Sequence, residues 1–268
     1  MDLPEQLENA LRTLEEAGFS SDNAQGRAYG VLTAFLLKAA TEDLLRFSPV
    51  LAQAIPELAP TLGFQQHSPH HAYDVFTHTA YVTGAVPAET ALRWAALLHD
   101  IGKVPCFTRD ETGRGHFGGH AQVSARMASV VLERLNAPEA IRQRAVWLID
   151  HHMLVLLPEE ALLAPILSRY GRERLEQLLL LQEADMKGKG TSEHENSDRY
   201  PRMRAVLERL EAEEGRLTLK SLAVNGSDLM ALGCTGRQIG EGLNWLLEQV
   251  LDGSLPNEKT ALLQAIKK

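Results

Sequence analysis

Residues 97–103 read Leu-Leu-His-Asp-Ile-Gly-Lys and end an apolar helical run from Ala91 to Leu98. His99 and Asp100 thus follow a segment built for a protein interior, where both are expensive to bury without partners. Residues of similar chemistry recur on either side: His78, His120, the pair His151-His152, and Asp185. Imidazole and carboxylate together suit the first-row divalent metals Mn, Fe, Co, Ni and Zn, and carboxylate with water also suits Mg. A shared divalent cation, one ion or two, would account for burying His99 and Asp100. The plainer alternative for His99 is a histidine favoured at a helix C-terminus. The zinc-deaminase and zincin signatures, H-x-E…C-x-x-C and H-E-x-x-H, are both absent.

The elements that must position these residues read almost entirely as helices. Leu3 to Gly18, Arg27 to Phe47 and Ser48 to Leu58 have helical apolar spacing. So does His70 to Thr83, which carries His78. Pro87 opens the helix that ends at Asp100. His120 to Leu135 is amphipathic, and Asn136 with Glu139 has the pattern of a capping box opening a helix through Met153. Gly171 to Met186 carries Asp185. Residues 109–119 and 187–201 are polar and Gly-rich, hence loops. Arg202 to Glu214 and three shorter helical pieces complete the chain. No strand alternation or fixed-period repeat stands out. The expected fold is all-α, with an N-terminal helical segment at 1–64, a central domain at 65–200 that places side chains from several helices into one site, and a smaller C-terminal helical subdomain at 201–268.

Composition narrows the functions open to the chain. Its 268 residues are 44% hydrophobic and carry a net charge of −8. Through residue 200 there are 18 Lys and Arg against 26 Asp and Glu, and beyond it 9 against 9. That balance argues against sequence-independent binding of long nucleic acid, which needs a basic surface. It leaves room for a small phosphorylated ligand or one RNA end. Cys106 and Cys234 match no zinc spacing and read as free thiols. With neither a signal-like start nor a bilayer-length apolar run, the expectation is a cytoplasmic protein with no membrane partner.

His78, His99-Asp100 and Asp185 together resemble the H…HD…D signature of the HD phosphohydrolase superfamily. The resemblance implies an HD-domain helical bundle whose four signature side chains hold a divalent metal, with metal-activated water hydrolysing phosphomonoesters or phosphodiesters. His120 and His151/His152 resemble the added ligands of two-metal members such as the HD-GYP group, although the GYP element is absent. A longer likeness runs through IPELAPTLGFQQHSPHHAYDVFTHT, ALLHDIGK, GRGHFGGHAQVSA and LIDHHM, which look like the HD region of bacterial CCA-adding tRNA nucleotidyltransferases. LAVNGSDLMALG and LLEQVLDGSLPNEKTALL resemble the body and tail helices of the same enzymes. The likeness covers roughly residues 50–268, and the first 50 match weakly, as a neck. That family also carries a nucleotidyltransferase head with a Gly-Ser type loop and a paired-acid site. These 268 residues contain no such segment, so the expectation is that they do not add nucleotides alone. Ala121 stands where the family often has Glu.

The expected metal ligands are His78, His99, Asp100, His120, His151 and Asp185. Adjacent helical residues point about 100° apart, so one of His151 and His152 faces the site; His151 is preferred and His152 is the alternative. Asp100, Lys103 and His120 are the candidate catalytic residues, with Lys103 either offsetting phosphoryl charge or lying solvated at a helix end. His70, His71, Arg114 and His116 are candidate substrate contacts. Asp74, one turn before His78, could orient that ligand, and His194 reads as an exposed loop residue. The leading function is a metal-dependent phosphohydrolase. Its substrate would be a small phosphoester, a nucleotide, or a 2′,3′-cyclic or terminal phosphate on RNA. A tRNA-binding module with its catalytic head on another polypeptide is the second reading, and a regulatory nucleotide-binding domain the third. Oligomeric state is open.

Overall fold

The computed structural model describes residue 9 and residues 22–190, 198–212 and 219–266. The helix expected over Leu3 to Gly18, apart from Asn9, and the loop position His194 lie outside them. The fold is all-α. Helices α1 (Asp22–Leu36), α2 (Thr41–Arg46), α3 (Ser48–Ala54), α4 (Val75–Ala85), α5 (Thr90–Leu98), α6 (His120–Arg134), α7 (Glu139–His151), α8 (Glu160–Tyr170), α9 (Arg172–Gly188), α10 (Arg199–Ala212), α11 (Gly226–Ala231), α12 (Arg237–Leu251) and α13 (Lys259–Ile266) follow in order. Two-residue strands β1 (Thr108–Arg109) and β2 (Gly115–His116) pair antiparallel, Thr108 opposite His116 and Arg109 opposite Gly115. They form a short ribbon inside the loop expected at 109–119.

The chain divides into two compact units. One comprises Met1–Leu154 and Gln177–Asn196, the other Val155–Glu176 and Ser197–Lys268. These divisions fall elsewhere than at residues 64 and 200. Residues 22–64 share the first unit because Leu32, Leu36, Leu44, Phe47 and Leu51 are buried in its interior rather than forming a core of their own.

Helix α5 is the centre of the first unit. Every residue from Ala91 to Leu98 is buried, as expected of a helix apolar on all sides. The exception in chemistry is Arg93, whose guanidinium donates to the Ala39 carbonyl at 3.0 Å and the Pro87 carbonyl at 3.3 Å. Trp94 donates its indole N–H to Thr33 Oγ1 at 3.0 Å and stacks with Tyr29. Helices α1, α4 and α7 surround this column, and α6 packs on α7. In the second unit Leu222, Val224, Leu229, Leu246, Leu247 and Leu262 form a separate small core.

Several helix boundaries differ from the sequence expectation. Helix α5 runs Thr90–Leu98 with Glu89 as its N-cap, so Pro87 lies outside it, and α10 begins at Arg199, inside the loop expected at 187–201. Helix α4 begins at Val75 rather than His70. Asp74 is its N-cap, accepting from the Thr77 amide at 3.0 Å and the Thr77 hydroxyl at 2.6 Å. Its carboxylate is thereby committed to the helix end instead of orienting His78. Asn136 opens no capping box. It adopts a left-handed backbone (φ 55°) that closes α6, with Ala137 N–H bonding back to the Leu132 carbonyl, and α7 starts at Glu139 after Pro138. The run Arg27 to Phe47 is broken between Leu36 and Thr41.

Glu57 and Arg134 tie the 3₁₀ turn Pro56–Thr61 to the end of α6 through two bonds of 2.6 and 2.7 Å. The Arg134 guanidinium holds the Glu57 carboxyl below its ordinary value. A depressed carboxyl contributes stability above its unfolded value of about 4.3 and loses it as pH falls through the folded value. Glu57→Gln is therefore expected to cost about 0.5–1 kcal/mol at pH 7, given the partial solvent exposure. Urea unfolding should show that difference shrinking toward zero in acid below the folded value.

Candidate metal centre

Four helix ends and one helix interior deliver the site. His78 lies inside α4, His99 and Asp100 follow α5, His120 opens α6, His152 caps α7, and Asp185 lies in the last turn of α9. The sharp turn after Asp100 requires Gly102. A Cβ there would stand 2.6 Å from the Ser124 amide nitrogen, and the Gly102 N–H donates to Ser124 Oγ at 2.9 Å. The HD turn thus presses directly on α6, bringing Asp100 against His120.

The polar atoms converge closely. His78 Nε2 lies 3.0 Å from Asp185 Oδ1 and 3.4 Å from Asp100 Oδ2. His99 Nε2 lies 3.2 Å from Asp100 Oδ2 and 3.7 Å from Asp185 Oδ1. On the other side of Asp100, Oδ1 is 3.4 Å from His120 Nε2 and 3.9 Å from His152 Nε2, and those two nitrogens are 3.2 Å apart. Two groups result that could each hold an ion: His78, His99, Asp100 and Asp185, and Asp100, His120 and His152. Asp100 is common to both.

Backbone carbonyls decide what the rings can do. His99 Nδ1 donates to the Ala96 carbonyl at 2.8 Å, His120 Nδ1 to Phe117 at 2.9 Å and His152 Nδ1 to Ile149 at 2.7 Å. A carbonyl only accepts, so each Nδ1 carries the hydrogen and the neutral ring presents a bare Nε2. Those lone pairs face carboxylate lone pairs in a buried setting, an arrangement that positive charge between them satisfies. Ligands about 2.1 Å from one ion at 90–110° to each other lie about 3.0–3.4 Å apart, which matches most of the separations above. The donor set fits a divalent ion.

In the protein alone a proton occupies part of that role. Burial works against a charge on His99, but the Asp100 and Asp185 carboxylates outweigh it and raise the ring to about 10. Burial likewise opposes ionised Asp100 and Asp185. The His99 ring with Lys103 for Asp100, and the His78 and His99 rings for Asp185, nonetheless hold both well below the usual carboxylate range. Burial pushes His120 down, and burial with the neighbouring His99 charge pushes His152 to about 4. Metal and proton compete for such nitrogens.

The structure places His152, not His151, in the cluster. His152 is the α7 C-cap and is buried. His151 turns away, stacked on Trp147 with Nδ1 donating to the Trp147 carbonyl at 2.9 Å. The preference for His151 is corrected by this 100° step, whose direction depends on where α7 ends. Lys103 is 5% exposed, which removes the solvated reading, and its Nζ stands 2.7 Å from Asp100 Oδ2.

An open cavity of about 390 Å³ leads to the cluster, lined by His71, Lys103, His116, Phe117, Gln122 and Lys189 among others. His71 lies edge-on to His78. Burial, then the Lys103 charge, lowers it to about 3, so the ring is neutral. His116 lines the cavity from β2 and bonds Asp110 at 2.7 Å. His70 and Arg114 are exposed and are not among the residues lining the cavity. The Asp110 carboxylate instead caps the ribbon turn, accepting from the Thr112 and Arg114 amides. Lys189, which lies 3.9 Å from Asp185 Oδ2, was absent from the sequence candidates although it follows Asp185 in KGKG. Gln66, a buried residue whose Oε1 accepts from the Lys103 ammonium at 2.8 Å, carries no signal in its local sequence.

Residues 70–186 match the family model for the HD domain. That segment contains His78, His99, Asp100, His120, His152 and Asp185. Over 225 residues it is 35% identical to the A-adding tRNA nucleotidyltransferase of Deinococcus radiodurans, covering 80% of this chain and 51% of that protein. It is 33% identical over 213 residues to the multifunctional CCA protein of Thioalkalivibrio sulfidiphilus (75% and 49%) and 32% identical over 230 to the CC-adding tRNA nucleotidyltransferase of Thermus thermophilus (81% and 50%). The chain spans about half the length of these curated relatives. No helix among the described residues is long and apolar enough to cross a membrane.

The geometry predicts a clear difference between two neighbouring substitutions. Mn(II) should raise the unfolding temperature of the wild-type protein. His151→Ala should keep that rise, whereas His152→Ala should lose much of it at limiting ion concentration. Scanning calorimetry across a titration of the ion checks this, and equal losses would place His151 in the site.

Proposed function

We propose that this chain is a metal-dependent phosphohydrolase acting on a phosphomonoester or phosphodiester of nucleotide or RNA-end type. The observation that carries the reading is the convergence of four imidazole Nε2 atoms and two carboxylates in two adjoining groups that share Asp100, with the Lys103 ammonium on the same Asp100. His78, His99, Asp100 and Asp185 would hold one ion, and Asp100, His120 and His152 a second. Such an ion supplies a hydroxide near neutral pH and stabilises charge on phosphoryl oxygens. The ligand set fits Mn, Fe, Co, Ni or Zn, and Mg with water.

The chain's own groups supply the rest. Lys103 and Lys189 stand on two sides of the cluster and offer positive charge to an anionic group entering the cavity. His71, neutral and lining the same cavity, can accept a hydrogen bond from a substrate hydroxyl. The cavity volume is in the ordinary range for a small-molecule site.

A second reading has one specific support: the likeness to tRNA nucleotidyltransferases over 80% of this chain. On that reading the chain holds tRNA, or an RNA 3′ end, for nucleotide addition carried out by a separate catalytic segment.

One panel separates the two. Phosphomonoesters, linear diesters, 2′,3′-cyclic nucleotides and nucleoside triphosphates are incubated with each metal, and Asp100→Ala is run beside wild type. Metal-dependent turnover that falls at least about a hundredfold in Asp100→Ala supports the hydrolase. Folded wild-type protein that turns over none of them while binding tRNA tightly would replace it with the second reading.

A further inference from the structure

We propose that Gln66 is a positioning residue that fixes the Lys103 ammonium so that one of its N–H bonds is left for an anionic oxygen in the cavity. An ammonium has three donors in tetrahedral array. One goes to Gln66 Oε1 at 2.8 Å, and the ammonium is ion-paired with Asp100 Oδ2 at 2.7 Å. With one direction set by Gln66 and the charge placed by Asp100, the ammonium stands 5.5 Å from the Phe117 ring centroid and lines the cavity with N–H capacity to spare. Without Gln66 the flexible lysine keeps only its ion pair with Asp100, which sets no N–H direction.

Gln66 is well suited to hold a direction. It is 2% exposed. Its Nε2 donates to the Tyr73 carbonyl at 3.1 Å, which fixes the amide so that Oε1 is the atom turned to Lys103. Its backbone is held by the ribbon. The Gly115 N–H donates to the His67 carbonyl at 2.9 Å, and a Cβ on Gly115 would stand only 2.2 Å from the Gln66 carbonyl oxygen. Arg109 on β1 also bonds the His67 ring. The ribbon, the 66–67 segment and Lys103 therefore form one linked set, 37 residues apart in sequence at its key bond.

The inference rests on the phosphohydrolase reading for its ligand class, but it is testable by binding alone. Inorganic phosphate is titrated into wild-type protein with Mn(II) present, and into Gln66→Met, Lys103→Met and the double variant, all first checked for folding by circular dichroism. Loss of one hydrogen bond to a charged group should weaken phosphate binding about tenfold in Gln66→Met. The same change should have no further effect in the Lys103→Met background, because Gln66 acts only through the lysine. An equal loss in both backgrounds, no loss in wild type, or no phosphate binding by wild type would each overturn the proposal. Should Gln66→Met fail to fold, the ¹H–¹⁵N signal of the Lys103 ammonium in wild-type protein decides. Slow hydrogen exchange marks an ammonium held by two partners, and fast exchange with no observable signal rejects the holding role. If phosphate binds as expected while no phosphoester turns over, the hydrolase reading fails and the Gln66 assignment stands.

Discussion

The structure of the first unit turns on a conflict of lone pairs. Three histidines spend their Nδ1 hydrogens on backbone carbonyls of their own helix ends. Their Nε2 atoms are then left pointing at Asp100 and Asp185, which can only accept. Such an arrangement is unfavourable in the absence of a positive charge at the centre. The elevated His99 ring is the sign of it, since two carboxylates recruit a proton to a nitrogen that burial alone would leave neutral. Asp100 stands at the middle, one oxygen toward His78, His99 and Lys103 and the other toward His120 and His152.

Holding that conflict in place needs a rigid surround, and helix α5 supplies it. A helix buried from Ala91 to Leu98 has no solvent face on which to slip, so its C-terminal residues emerge at a fixed point. Gly102 then allows the turn to pass within contact distance of α6, where any side chain would meet the backbone at Ser124. The apolar core and the polar cluster are thus one construction. Burial of Leu97 and Leu98 places His99, and close approach at Gly102 places Asp100 against His120.

Much of this was legible in the sequence, and the failures have identifiable causes. The periodic helices stand out by apolar spacing, and the candidate ligands His78, His99, Asp100, His120 and Asp185 by their place on or at the ends of successive helices and by the H…HD…D pattern; the structure brings all five together. The choice between His151 and His152 does not, because it depends on the phase at which α7 stops, and that is set by packing against the other helices. Asp74 and Asn136 were misread for a related reason. Each is a short polar side chain beside a helix end, and the local sequence does not say whether it caps the helix ahead or closes the one behind. Gln66 could not be found at all, since its meaning is a single bond to Lys103 across the fold.

The same energetics bear on the two functional readings. A pure binding module has little use for four buried imidazoles, the buried Asp100 and the half-buried Asp185. Replacing a buried ionic cluster with well-packed apolar side chains is often neutral or stabilising, so an ion-free cluster would cost stability and return nothing. The cost becomes intelligible when a cation repays it, and more so when a buried lysine, bonded to the Gln66 amide oxygen, adds a further charge at the same carboxylate. An arrangement that concentrates positive charge beside an open cavity is suited to an anion that enters and leaves. That is a demand of turnover rather than of structure, and it is why the hydrolase reading accounts for more of the site than the binding module does.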